Sequence, residues 1–114
     1  MAIKITTRGY PHVDLVEVAG LVDCATAPQL ARVLQRLIGA GRCRLVVDLA
    51  ECDFASVAFW KVSEEAAVQC RKFRRGDLRL SALPLRARRS GRLVGYTEVL
   101  EIFDSAVDAV GSFT

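Results

Sequence analysis

Ile3, Ile5 and Thr7 alternate with Lys4, Thr6 and Arg8, the period-two pattern of a half-buried strand. Gly9-Tyr10-Pro11-His12 is turn chemistry, and Val13–Ala19, rich in β-branched residues, predicts the paired second strand. Gly20 to Ala25 breaks that pattern. Thr26-Ala27-Pro28-Gln29 then reads as a helix start. Thr26 is placed to accept from free first-turn N–H groups, Gln29 completes a capping box, and Pro28 sits where no helical hydrogen bond is lost. Leu30, Val33, Leu34, Leu37 and Ile38 recur at helical spacing until Gly39 and Gly41 stop the helix.

Leu45-Val46-Val47-Asp48-Leu49 is a nearly continuous apolar run, as expected of a central strand covered on both faces. Ala50 to Ala55 reads as a loop. Val57 to Phe73 has helical length, with Trp60, Ser63, Ala67 and Cys70 along one line and Lys61, Glu64 and Glu65 elsewhere. Gly76-Asp77 turns into a strand over Leu78–Ala82, and Pro84 opens a helix over 85–93. Val99–Phe103 is the last strand, and Asp104 or Ser105 caps a final helix through Ala109. The predicted order is ββαβαβαβα, an α/β fold with a mixed five-stranded sheet, about four helices and right-handed crossovers. So few helices leave one face or edge of the sheet for a partner.

Composition narrows the classes. The chain has 114 residues, 52% hydrophobic and 25% charged, which suits one globular domain over residues 1–114. Its longest apolar run, Val18 to Val22, is far short of the roughly 20 residues of a membrane-spanning helix. Met1-Ala2-Ile3-Lys4-Ile5 reads as an ordinary first strand rather than a secretion signal. Cys24, Cys43, Cys52 and Cys70 form no CxxC pair, so a cytoplasmic protein with reduced, mostly buried thiols is expected. No metal site and no cofactor is anticipated.

The net charge of +3 is uneven. Residues 71–92 hold nine basic side chains against Asp77 alone, a net +8, which leaves −5 for the rest. Such a stretch suits anionic partners or is simply a solvated helix end and face. Phe73 is its only aromatic and no nucleic-acid motif accompanies it, so nucleic acid is not expected as a partner. Asp48, Glu51 and Asp53 cluster, either for Mg2+ or acid–base work or as polar residues at a strand end. His12, the sole histidine, sits beside Pro11 in a turn without a nucleophile–base arrangement, so no enzyme is expected.

Five stretches carry a family likeness in order and spacing. They are Gly20-Leu21-Val22-Asp23, Thr26-Ala27-Pro28-Gln29-Leu30, Leu45-Val46-Val47-Asp48-Leu49, Cys52-Asp53-Phe54-Ala55, and residues 93 to 105. Together they resemble the STAS domain, the module of anti-sigma-factor antagonists and sulphate-transporter tails, over essentially the whole chain. The resemblance implies a non-catalytic module for protein interaction in bacterial transcription regulation and signalling. The implied partner is an anti-sigma factor, a serine-kinase-like switch protein or another STAS-containing protein, with a homodimer as a further option. An alternative implication is an accessory subunit of a transport or lipid-handling complex.

The family usually reads Asp-Ser-Ser/Thr-Gly-Leu after the central strand, and its second Ser/Thr accepts a phosphoryl group from a partner kinase. Ungapped, this chain reads Ser56-Val57-Ala58-Phe59-Trp60. Ala58 stands at the acceptor position, and a methyl group cannot be phosphorylated. Ser56 is either a shifted acceptor or the N-cap of the helix, accepting from the N–H of Ala58 or Phe59. The resemblance places partner contacts at Asp23, Ser56, Val57, Ala58, Phe59 and Trp60. Trp60 either folds inward or joins that surface. Phe59, replacing a glycine, either covers the sheet edge or lies on the surface as a contact, and the contact is the expectation.

Overall fold

The computed structural model describes residues 3–113; Met1, Ala2 and Thr114 lie outside the described residues. Strand β1 (Lys4–Gly9) runs antiparallel to β2 (Asp14–Val22), pairing Lys4 with Ala19 and Gly9 with Asp14. Helix α1 (Ala27–Gly39) returns the chain to β3 (Arg44–Asp48), which lies parallel to β2 over Asp14–Glu17. Strand β4 (Cys52–Ala55) follows at once and pairs with the far part of β2, at Gly20–Val22. Then come α2 (Val57–Cys70), β5 (Asp77–Ser81), α3 (Leu85–Leu93), α4 (Tyr96–Val99), β6 (Ile102–Phe103) and α5 (Ala106–Gly111). The order across the sheet is β1-β2-β3-β5-β6, with β4 on β2 off that path and only β1 antiparallel.

Strand alternation assigns the two faces. Val16, Val18, Leu45, Val47, Leu78 and Leu80 point into the main core, with Leu30 and Leu34 of α1 and Ala66, Ala67 and Cys70 of α2. Val13, Leu15 and Val46 point the other way, against Ala109 and the partly buried Phe103, Ala106, Val110 and Phe113. β3 is therefore covered on both faces, as its apolar run predicts. On the α5 face, the Arg79 guanidinium lies 4.1 Å from the Phe113 ring centroid and donates to the Ser112 carbonyl at 2.9 Å.

Several boundaries differ from the sequence expectation. Residues 52–55 form β4, not loop, because β2 continues through Gly20 (φ 102°) with a register shift before Leu21 and offers a second pairing edge. Six strands result among the described residues rather than five. The expected strand Val99–Phe103 is mostly replaced by the turn of helix α4 and the two-residue β6, and the helices among the described residues number five. α2 ends at Cys70 rather than Phe73. The Thr26 capping box does not form: its hydroxyl donates to the Leu21 carbonyl at 2.7 Å and accepts the Asp23 N–H at 3.0 Å, so it makes no side-chain cap bond to α1.

The basic stretch is divided by the fold. Arg71 and Arg79 share Asp77, at 2.9 and 3.1 Å, while Lys72, Arg74 and Arg75 are exposed at the end of the chain segment leaving α2. The remaining arginines ride on α3. That helix docks through Gly91, where an added Cβ would come within 2.3 Å of Cζ2 of the fully buried Trp60 ring. Tyr96 stacks on the same indole, with centroids 5.8 Å apart and planes 8° from parallel.

Gly91→Val should therefore destabilise the fold by about 1–3 kcal/mol through overpacking. It should also shift the emission of Trp60, the only tryptophan. Urea unfolding followed by fluorescence checks both; unchanged stability and emission would contradict the packing described.

Candidate functional site

The parallel strands β2 and β4 end side by side, Val22 opposite Ala55, and so bring together two residues distant in sequence. Asp23 follows Val22 and Ser56 follows Ala55, and the Ser56 N–H donates to the Val22 carbonyl at 2.9 Å. From this shared end the chain enters α1 on one side and α2 on the other.

Asp23 organises the first of these entries. Its Oδ1 accepts the N–H groups of Ala25 at 2.9 Å and Thr26 at 3.1 Å, an Asx turn that leads into α1. The Thr26 N–H above all, with the Ala25 N–H and the Thr26 hydroxyl, holds the carboxyl below its ordinary range. Asp23 is half-buried and its acceptor atom faces its own loop. Thr26 itself is buried, which ties the α1 entry to the core.

Ser56 is extended (φ −83°, ψ −178°), and its Oγ accepts the Ala58 N–H at 3.2 Å. This is N-cap geometry, one of the two roles open to it in the sequence. Beyond it, successive residues of α2 are rotated by about 100°. Phe59 and Trp60 point inward and are both fully buried, while Val57 is 54% exposed and Lys61 is exposed. Ala58 sits between them, half-buried. The expectation that Phe59 lies on the surface is corrected: its ring packs edge-on against Trp60 (5.5 Å, 75°) within the main core. Trp60 takes the inward alternative. Ser63 is fully buried one turn further on.

The exposed tip therefore consists of Val57, the edge of Ala58, and Phe54 of β4, which is 42% exposed. Phe54 was not among the expected contacts. Its strand is four residues long with a buried–exposed–exposed–buried pattern, so no period-two signal marks its outward side. Concavities lie elsewhere. Two of about 560 and 530 Å3 open beside Arg71 and Glu98 and beside Arg75 and Phe113, one of about 290 Å3 is lined by Arg42, Arg44, Phe73 and Arg74, and one of about 230 Å3 opens on the sheet between Thr6, Glu17 and Asp48.

Asp48 accepts from the Ser81 hydroxyl at 2.8 Å, and Glu51 and Asp53 are exposed in the loop and strand after it. Among the described residues no three His, Cys, Asp or Glu side chains group as metal ligands. Burial pushes the Cys43 and Cys52 thiols up and that of Cys70 up to about 12, so these are protonated thiols at neutral pH. His12 is exposed. No helix among the described residues is long and apolar enough to cross a membrane.

The STAS domain family profile matches residues 4–109. No protein of curated function matches the chain. Solved structures share its fold. An anti-sigma factor antagonist from Mycobacterium paratuberculosis superposes with a TM-score of 0.80 at 23% identity, over 97% of this chain and 93% of that one. A Thermotoga maritima protein provisionally assigned as an anti-sigma factor antagonist gives 0.87 at 12%, over 96% and 93%. A sulfate transporter family protein from Wolinella succinogenes gives 0.74 at 21%, over 91% and 86%.

The Asp23 turn has a pH signature. Its carboxyl pKa is lower folded than the ordinary 3.8, so its charge stabilises the fold above that value. The contribution is lost as pH falls from 3.8 through the lower folded value. Wild type should exceed Asp23→Asn in urea midpoint at pH 7, and the gap should shrink by about pH 2.5. A gap that widens on acidification would contradict the assignment.

Proposed function

The chain belongs to the STAS domain family, and on that premise we propose that it is an anti-sigma-factor-antagonist-like docking module whose binding is not gated by phosphorylation. The family and its structural neighbours support a protein-interaction module in general. The reading for this chain rests on one observation: at the start of α2, where the family resemblance puts a phosphorylated hydroxyl, Ala58 presents a methyl group.

Phosphorylation adds about −1.5 to −2 charges to a docking surface at neutral pH. In a gated member that charge and the unmodified hydroxyl are two states of one surface. Ala58 gives this surface one state. The nearby hydroxyls are poorly placed to substitute. Ser56 Oγ is engaged as the α2 cap, and Ser63 is fully buried. The contact surface follows from exposure: Val57 and Phe54 supply apolar area, Ala58 a flat edge, and Asp23 and Ser56 hold the two loops in register. Phe59 and Trp60 act through the core, fixing the rotation of α2. The partner is an anti-sigma factor or serine-kinase-like switch protein, met in the cytoplasm. A second reading, as an accessory subunit of a transport complex, draws on the fold shared with the Wolinella protein.

The test is titration of the intact protein with a candidate anti-sigma factor. Ala58→Ser should bind as wild type does. Ala58→Glu, which puts a fixed negative charge at the tip, and Val57→Asp should each weaken binding about tenfold or more, with unchanged thermal unfolding. Wild-type affinity in both charged variants would remove the tip from the interface and overturn the reading.

A further inference from the structure

Helix α3 has one face committed and one free. Ala87 and Gly91 are buried, Gly91 directly against Trp60, and this contact fixes the rotation of the helix. At about 100° per residue, Leu85, Arg86, Arg89, Arg92 and Leu93 then fall within a single outward arc of about 120°. All five are exposed, Leu85 by 62% and Leu93 by 88%. Val94, just past the helix, is 55% exposed and extends the apolar end.

The arc is unusual in its charge as well. α3 contains four arginines and no acidic residue. Arg88, off the arc, lies 3.8 Å from Asp104, whereas Arg86, Arg89 and Arg92 have no ion-pair or hydrogen-bond partner among the described residues. They recur every third residue, so their Cα atoms step by about 4.5 Å along the axis. Two exposed leucines bracket this row. A solvated helix face would be expected to mix charges of both signs and to expose fewer large apolar groups.

We infer that the outward arc of α3 is a docking surface for an acidic protein segment, one carrying carboxylates at about one-turn spacing with apolar groups at either end. The inference rests on the reading of the chain as a protein-interaction module and names the chemistry of its partner. The argument is charge complementarity. Guanidinium groups pair with carboxylates through two parallel N–H···O bonds, and aligned rows of each give both register and salt-dependent attraction. The leucines supply the apolar anchors that charge alone lacks. Position supports it too. α3 follows the C-terminal end of β5, on the side of the sheet where Asp23 and Ser56 lie, and it contacts both β4 and α2. A partner seated on the α2 tip can therefore continue onto α3. A lipid surface suits the arc less well. Arg89 and Arg92 lie between the leucines rather than flanking them, and a helix of nine residues has too little apolar face to sink into an acyl layer.

The test uses the full chain and two probes. One is a synthetic helix-forming peptide with glutamates every third residue and a leucine near each end. The other is vesicles of mixed phosphatidylserine and phosphatidylcholine. The peptide should bind, perturb the backbone amides of 85–94, and weaken as salt rises. Arg89→Glu/Arg92→Glu, exposed positions that leave folding intact, should lower its affinity at least about tenfold. Arg74→Glu/Arg75→Glu, on the other basic segment, should leave it unchanged. Equal losses in both double variants would show unspecific attraction and overturn the proposal. So would vesicle binding without peptide binding, absence of peptide binding, or self-association that depends on Arg89 and Arg92. Failure here is distinct from failure of the α2 tip, which the Ala58 and Val57 variants report on separately.

Discussion

Two adjacent aromatic rings at the start of α2 leave that helix a single rotation. Phe59 and Trp60 are consecutive, about 100° apart, and both are fully buried. Phe59 belongs to the main core and packs edge-on against Trp60, which is roofed by Gly91 and Tyr96. Turning α2 in either direction would lift one ring into water, at roughly 1.5–3 kcal/mol for an aromatic side chain. The cost of this arrangement is also visible. The Trp60 indole N–H is buried without a hydrogen-bond partner among the described residues, as is the Ser63 hydroxyl. Apolar packing outweighs those losses, and the exposed tip inherits its geometry from the buried rings.

That constraint links core to surface. With Phe59 and Trp60 held inside, Val57 must project and Ala58 must lie at the margin, while the Ser56 cap fixes where the helix begins. The same indole orients α3, because Gly91 is the only residue type that fits beneath it, and so decides that Leu85, Arg89 and Leu93 face solvent. Asp23 holds the neighbouring loop by its own hydrogen bonds, independently of the aromatic cluster. The surface is thus built from two loop-to-helix entries side by side, joined by the bond from the Ser56 N–H to the Val22 carbonyl.

The elements with a clear period were legible in the sequence. α1 has one apolar stripe, β3 is an apolar run buried on both sides, and Ser56 has the chemistry of a cap. β4 was not legible, since its pairing depends on a shift in β2 at Gly20 that no local pattern in Cys52–Ala55 reveals. α4 is a single turn entered through Gly95 in the left-handed region (φ 83°), too short to establish a period. The site was legible in part. Asp23 and Ser56 converge as the family resemblance implies, but the outward position of Phe59 did not survive. α2 is buried against the sheet on one side and against α3 and α4 on another, so a reading that allows it one buried face misplaces a residue between the two. Thr26 failed as a cap for a local reason. Its hydroxyl is already engaged upstream of the helix, donating to the Leu21 carbonyl and accepting the Asp23 N–H.

Phosphate incorporation tests whether docking at the α2 entry is free of chemical gating. Intact-mass spectrometry with fragment mapping, after exposure to a cognate serine kinase and MgATP, should find the chain unmodified throughout the α2 entry. Stoichiometric phosphate on Ser56 would contradict the account, because that hydroxyl would then have left its cap to serve as the acceptor that Ala58 cannot be.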